Sequence, residues 1–165
     1  MSETPYFISL EEAINIAQSK PIKTETEFVS LDEAYGRILG SDMPSKVNDP
    51  PFDNSAMDGF AVRFEDTKEA PTTLTIVATT QAAASDESIS ISSGEAVRIM
   101  TGAPLPQGAD AIIPIEACVV EGDSVTLNQP SKPHFIRRRG ENIKEGAVGL
   151  KQGSYLSPQS ISMCA

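Results

Sequence analysis

After residue 50, the apolar residues of this chain come in short runs of branched side chains, each closed by a glycine-, proline- or acid-containing turn. Residues 74–80, 96–100 and 125–127 have the length and the branched composition of strands. The run 111–120 is broken by Pro114 and Glu116, and Glu121-Gly122-Asp123 reads as the hairpin turn that leads into 125–127. Residues 60–62 form another short strand, 89–91 a weaker one, and residues 81–88 are a small, polar connection. Runs this short cannot build a large open sheet; they fit a small barrel or sandwich.

The first fifty residues have a different character. Ser9 and Glu12 make a capping box for a helix with Leu10, Ala13, Ile14 and Ala17 on one face, closed by Pro21. Residues 25–29 read as a strand, and a second box, Ser30 with Glu33, starts a brief helix that Gly36 ends. Near the other end, 146–150 and 153–156 read as a hairpin, and Ser157 caps a helix with Pro158 in its first position. The fold class expected is α+β, mostly β. The Pro/Asp-rich stretch 48–51 marks a domain boundary.

The 165 residues suffice for a real core in one domain or two small ones. A net charge of −10 argues against nucleic acid or an anionic membrane surface as partner. No run of about 18 apolar residues is present to span a membrane, and no secretory signal is visible. Cys118 and Cys164 form no Cys-x-x-Cys pair, so a reducing, cytoplasmic setting is expected, with Cys118 as a small core residue. His134 is the sole histidine, which leaves no Ser-His-Asp or Cys-His system and no zinc site. Nor does the sequence contain a Gly-x-Gly-x-x-Gly motif or a P-loop.

The chain is organised around Pro50-Pro51-Phe52-Asp53-Asn54-Ser55-Ala56-Met57-Asp58-Gly59-Phe60-Ala61-Val62-Arg63. Two prolines set φ on entry, and Asp53, Asn54 and Ser55 can satisfy local backbone groups. Met57-Asp58-Gly59 then puts a carboxylate beside a residue that permits a tight turn or close approach to the backbone. Asp58 is either an oriented acid on a shaped loop or a turn residue capping a neighbour. Arg137, Arg138 and Arg139 concentrate positive charge in an acid-rich chain: an anion site, or a charged strand edge that resists aggregation.

The 50–63 string, together with Arg98-Ile99-Met100-Thr101-Gly102-Ala103-Pro104-Leu105-Pro106 and Arg137-Arg138-Arg139-Gly140-Glu141-Asn142-Ile143, resembles the signatures of the MoeA-type molybdopterin molybdotransferase family, to which the E domain of gephyrin also belongs. The resemblance covers nearly the whole chain but only the N-terminal part of the family. It implies an elongated mixed domain, here 1–48 with 138–165, into which a compact β-barrel-like domain, 49–137, is inserted. It also implies that the later domains, with the main pterin-binding cleft, are not in this sequence.

The implied chemistry is insertion of molybdenum from molybdate into adenylated molybdopterin with release of AMP, assisted by Mg²⁺. The implied cleft lies between subunits of a homodimer, and this chain supplies one wall. Carried over residue by residue, Asp58 and Thr101 are the catalytic candidates, and Asp58 is also the metal candidate. Ser55, Gly59, Gly102, Arg137, Arg138, Arg139 and Glu141 are the substrate-binding candidates, with Ser55 read chiefly as shaping its loop. The Thr101 hydroxyl and the amides after it either donate to an oxyanion or satisfy their own turn. Asn142 stands where many members carry aspartate, which removes a charge. A second reading is a non-catalytic dimerisation or scaffold module derived from the same family.

Overall fold

In a computed structural model of the protein, residues 7–20, 24–82, 89–132 and 135–165 are described. His134, Pro21 and most of the 81–88 connection lie outside them. Contacts divide the chain into two units, residues 1–41 with 152–165 and residues 42–151. The cuts expected after 48 and before 138 fall inside the larger unit, because backbone pairing of 43–50 with 140–150 keeps both segments there.

The smaller unit contains α1 (Leu10–Ser19), a 3₁₀ turn (Leu31–Glu33) and α2 (Pro158–Cys164). Ser9 Oγ accepts from Glu12 N–H at 3.1 Å, which is half of the expected capping box. Gly36, at φ +81°, ends the 3₁₀ turn and donates its N–H to Leu156 O. Ser157 Oγ accepts from Ser160 N–H, so α2 starts where its cap and Pro158 put it. Two expectations fail here. Residues 25–29 carry no ladder, and the apolar stripe of α1 is not a core face: no residue of α1 is buried, and Leu10 is 79% exposed.

The larger unit is built on a curled half-barrel sheet of six strands. They are β3 (Gly59–Val62), β4 (Thr72–Thr80), β5 (Glu95–Ile99), β6 (Ala111–Pro114), β7 (Cys118–Glu121) and β8 (Ser124–Leu127), in spatial order β6-β3-β5-β4-β8-β7. All neighbours are antiparallel except β4 and β5. Two small ladders flank it: β1 (Met43–Pro44) with β10 (Val148–Leu150), and β2 (Asn54–Ser55) with β9 (Ile136–Arg137). The expected hairpin of 146–150 with 153–156 is therefore replaced. Leu150 faces Met43, and Tyr155 makes an isolated bridge to Ile38 within the smaller unit, because each segment finds a distant partner rather than its neighbour in sequence. Of residues 89–91, only Ser90 makes a bridge, to Gln107.

Strand alternation explains the core. Phe60 and Val62 of β3 point into one cluster with Leu74, Ala96, Ala111, Ile113, Val125 and Leu127. Ala61, between them, points the other way to Ile99, Ala103, Ile112 and Ile136. Each large member contributes about 1.5–3 kcal/mol by leaving water. β3 is thus buried on both faces, the second being covered where Asn54 and Ser55 meet Pro104, Ala103 and Ile136. Cys118 is half-buried against the first cluster, and its thiol donates to Pro114 O. Burial, with the Glu116 charge, pushes that thiol up to about 11. Among the described residues no helix is long and apolar enough to cross a membrane.

Candidate functional site

β3 begins and β5 ends at the same edge of the half-barrel, with Gly59 paired to Ile99. Asp58 precedes the first strand and Thr101 follows the second, so two motifs 43 residues apart in sequence meet. Asp58 Oδ1 accepts two hydrogen bonds, from Thr101 N–H at 2.7 Å and from Thr101 Oγ1–H at 2.7 Å. The Thr101 amide, then its hydroxyl, hold the exposed Asp58 carboxyl below the usual carboxylate value, with a smaller pull from the Arg98 charge. Hydrogen bonds to the charged form favour it. Oδ2 makes no bond among the described residues, so it is the oxygen this pair offers to a ligand.

That geometry changes the expected role of Thr101. Its hydroxyl and amide hydrogens are both turned on Asp58. The next two amides are also engaged, Gly102 N–H with Ser55 O at 2.8 Å and Ala103 N–H with Met100 O at 3.0 Å. In this arrangement the turn offers no free N–H at 101–103 to an oxyanion. What Thr101 does is grip and orient the acid.

Ser55 and Gly59 lie beneath the pair. Ser55 is buried, and its hydroxyl donates to Met57 O and accepts from Met57 N–H, which closes the turn that presents Asp58. Gly59 is buried within the sheet; a Cβ there would stand 2.0 Å from Ile113 O. Its lack of a side chain serves the approach of β6 to β3 rather than that of a ligand. Gly102, at φ +81°, makes the turn after Thr101.

The arginine cluster is sorted by its partners. Arg138 ion-pairs with Asp53 Oδ2 at 2.6 Å, while Arg139 N–H donates to Asp53 Oδ1 at 2.8 Å. Burial alone would raise the Asp53 carboxyl, but the Arg139 amide, the Arg138 hydrogen bond and the Arg138 charge together bring it below its ordinary value. Glu141 Oε2 accepts from Arg138 N–H and so caps its own turn. Arg137 donates to Asn142 Oδ1 at 2.9 Å, and Asn142 Nδ2 donates to Asp49 Oδ2 at 2.7 Å. The amide accepts from the one and donates to the other, which an ionised carboxylate cannot do. An aspartate at 142 would face Asp49 with a like charge. The exposed Arg139 guanidinium makes no hydrogen bond or ion pair among the described residues. Among the described residues Arg138 is the arginine of the three whose charge is paired, while Arg139, with no side-chain partner, has its whole guanidinium left for an anion.

Asp53, bonded to Arg138 and Arg139, and Asn142, bonded to Asp49, latch the 49–58 segment to the 137–142 turn. The Asp53–Arg138 pairing leaves no local signature, since 85 residues separate the two. Among the described residues, no three His, Cys, Asp or Glu side chains gather as a metal cage.

Residues 8–165 match the family model described as the MoeA N-terminal region (domain I and II). The chain is 40% identical over 161 residues to a molybdopterin molybdenumtransferase of Haemophilus influenzae, covering 96% of this chain and 39% of that protein. It is 41% identical over 142 residues to molybdopterin molybdenumtransferase 2 of Mycobacterium tuberculosis, covering 83% of this chain and 35% of that one. A crystal structure of a molybdopterin biosynthesis moeA protein from Pyrococcus horikoshii OT3 superposes with a TM-score of 0.78 at 38% identity, over 84% of this chain and 38% of its own. The chain thus spans well under half the length of these relatives.

Proposed function

Because this chain belongs to the MoeA family, whose N-terminal region it matches, we propose that it is the N-terminal portion of a molybdopterin molybdenumtransferase. In this reading it supplies one wall of the cleft in which molybdate is inserted into adenylated molybdopterin. Downstream domains and a second copy of the chain complete that cleft, in a cytoplasmic homodimer, and the chain alone is inactive. The observation that carries the proposal is the Asp58–Thr101 pair: an ionised acid fixed through one oxygen, with the other left over. Arg139, anchored by its own amide, extends a free cation from the adjoining turn.

The residues present fit Mg²⁺ in a limited way. A single carboxylate oxygen suits a hard cation held chiefly by water and substrate oxygens. Asp58 Oδ2 would be its protein ligand, and the bound cation would offset phosphate charge. Thr101 would keep that carboxylate from rotating, and Ser55 would keep the turn that presents it.

The test is to combine this chain with the family's downstream domains and measure molybdenum incorporation into adenylated molybdopterin. Asp58→Asn should abolish most of the activity, and Thr101→Ala should lower it about 10- to 100-fold, as loss of a ligand-orienting partner does. Wild-type rates in Asp58→Asn would remove the acid from the site. If no combination restores activity while the chain still associates with itself, the scaffold reading stands instead.

A further inference from the structure

Across β3 from Thr101 lies a cavity separate from the Asp58–Thr101 pair. The sheet order β6-β3-β5 puts Thr101, just past the end of β5, on one side of β3 and β6 on the other. β6 is an edge strand, and the 129–132 segment runs along its outer side, bridged to it at Ile112 and Lys132. Strand and segment enclose a cavity of about 140 Å³. Ile112, Pro114, Pro130 and Phe135 give it apolar walls. Ile112 is fully buried and Phe135 packs on the same core cluster, so the inner wall is anchored in the sheet. The prolines are fixed in φ, which leaves the outer wall little freedom to collapse.

The polar groups around the cavity are sorted by their partners. Ser131 is buried, and its hydroxyl is spent on the Thr67 hydroxyl. Gln129 and Lys132 are exposed at the mouth, and neither side chain makes a hydrogen bond or ion pair among the described residues. No aspartate or glutamate lines the cavity, although the chain carries 23 of them. An apolar slot with an unpaired cation and a free carboxamide at its rim is suited to an apolar body with an anionic end.

We propose that this cavity is a binding site for a small aromatic acid, with one six-membered ring against Pro114, Pro130 and Phe135 and its carboxylate on the Lys132 ammonium and the Gln129 amide. The size fits, since a protein cavity of about 150 Å³ accommodates a benzene ring. A flat ring also gains from offset packing on a phenylalanine face. The site goes beyond molybdenum transfer and does not use Asp58, yet it is joined to the same loop. Pro114 stands opposite Gly59, and Phe135 O accepts from Ala56 N–H at 2.9 Å.

The test is NMR of the 165-residue chain titrated with benzoate, benzamide and acetate. Benzoate should shift the Ile112 and Ile113 methyls and the Ala56 amide saturably, in the millimolar range expected of a ligand this small. Benzamide keeps the ring and loses the charge, and should bind about two- to fivefold more weakly, the range of an exposed charge pair. Acetate keeps the charge and loses the ring, and should leave the methyls unmoved. Lys132→Gln should weaken benzoate by the same factor as the loss of its charge and leave benzamide unchanged. Methyls that stay put with benzoate, or that move alike with acetate, overturn the proposal, as does an unchanged benzoate affinity in Lys132→Gln. Should that variant not fold, the wild-type chain decides, because equal affinities for benzoate and benzamide overturn it too. None of these readouts involves molybdenum transfer, so this site and the proposed function fail separately.

Discussion

Gly59→Ala carries the sharpest structural consequence. A Cβ at this position would stand 2.0 Å from Ile113 O and 3.0 Å from both Ile113 C and Pro114 Cα. Real Cβ contacts essentially never fall below 3.0 Å, so β6 would have to move by at least 1.0 Å. The obstacle is backbone, and no side-chain rotamer relieves it. β6 is also pinned, since Phe60, Ala61 and Val62 continue the same ladder to Ile113, Ile112 and Ala111. Forcing extra volume into such a site costs about 1–3 kcal/mol, toward the upper end when backbone must shift. The strain falls beside Asp58, whose carbonyl accepts Ile115 N–H at 3.1 Å, so the pair with Thr101 should loosen as well. Urea unfolding of the variant chain measures the loss, and the Thr101 amide shift reports the pair. Gly122→Ala is the control: its φ is +57° with nothing within 4 Å, so it pays only for backbone strain. If Gly59→Ala unfolds within about 0.5 kcal/mol of wild type, as an ordinary surface substitution would, the packing argument is refuted.

Asp53 has a lowered carboxyl pKa in the folded chain, so it contributes stability above its ordinary value of 3.8 that is lost as pH falls through the folded value. Urea midpoints of Asp53→Asn against wild type should therefore converge as the solution is acidified below pH 3.8, and a constant gap would contradict the latch. Arg138→Ala, which removes the partner of Asp53, should cost about 0.5–1 kcal/mol, as befits a half-exposed pair, whereas Arg139→Ala should leave stability unchanged and weaken binding of anionic substrate to the assembled enzyme. Equal effects of the two would refute the division of the cluster. Asn142→Asp should lower stability by about 1 kcal/mol at neutral pH, because it removes the donor to Asp49 and sets two carboxylates face to face. The deficit should shrink in acid, and its absence would show that the amide is not the bridge.

Much of this protein is local and so could be read in order along the chain. Ser9 and Ser157 cap helices because a hydroxyl reaches an N–H three residues on. β4, β5, β8 and the β7–β8 turn follow from branched runs closed by Gly122 and its neighbours. The three motif stretches single out Asp58, Thr101 and the arginines as candidates from the order of residues alone. Which strand meets which was not legible. Leu150 pairs with Met43 rather than with 153–156, and residues 25–29 join no ladder among the described residues, because a ladder is decided by the partner and not by the strand.

Only tertiary structure could divide roles within a motif. In sequence Gly59 permits a tight turn or a close approach to the backbone; in the fold the group that approaches is β6. In sequence the Thr101 hydroxyl is left to an oxyanion or to its own turn; in the fold both its hydrogens go to Asp58. Three consecutive arginines became a strut to Asn142, an ion pair to Asp53 and one free cation. Sequence determines which chemical groups are available and the local turns that carry them. Where each hydrogen bond is spent depends on what distant segments bring alongside, and that is set only when the sheet closes.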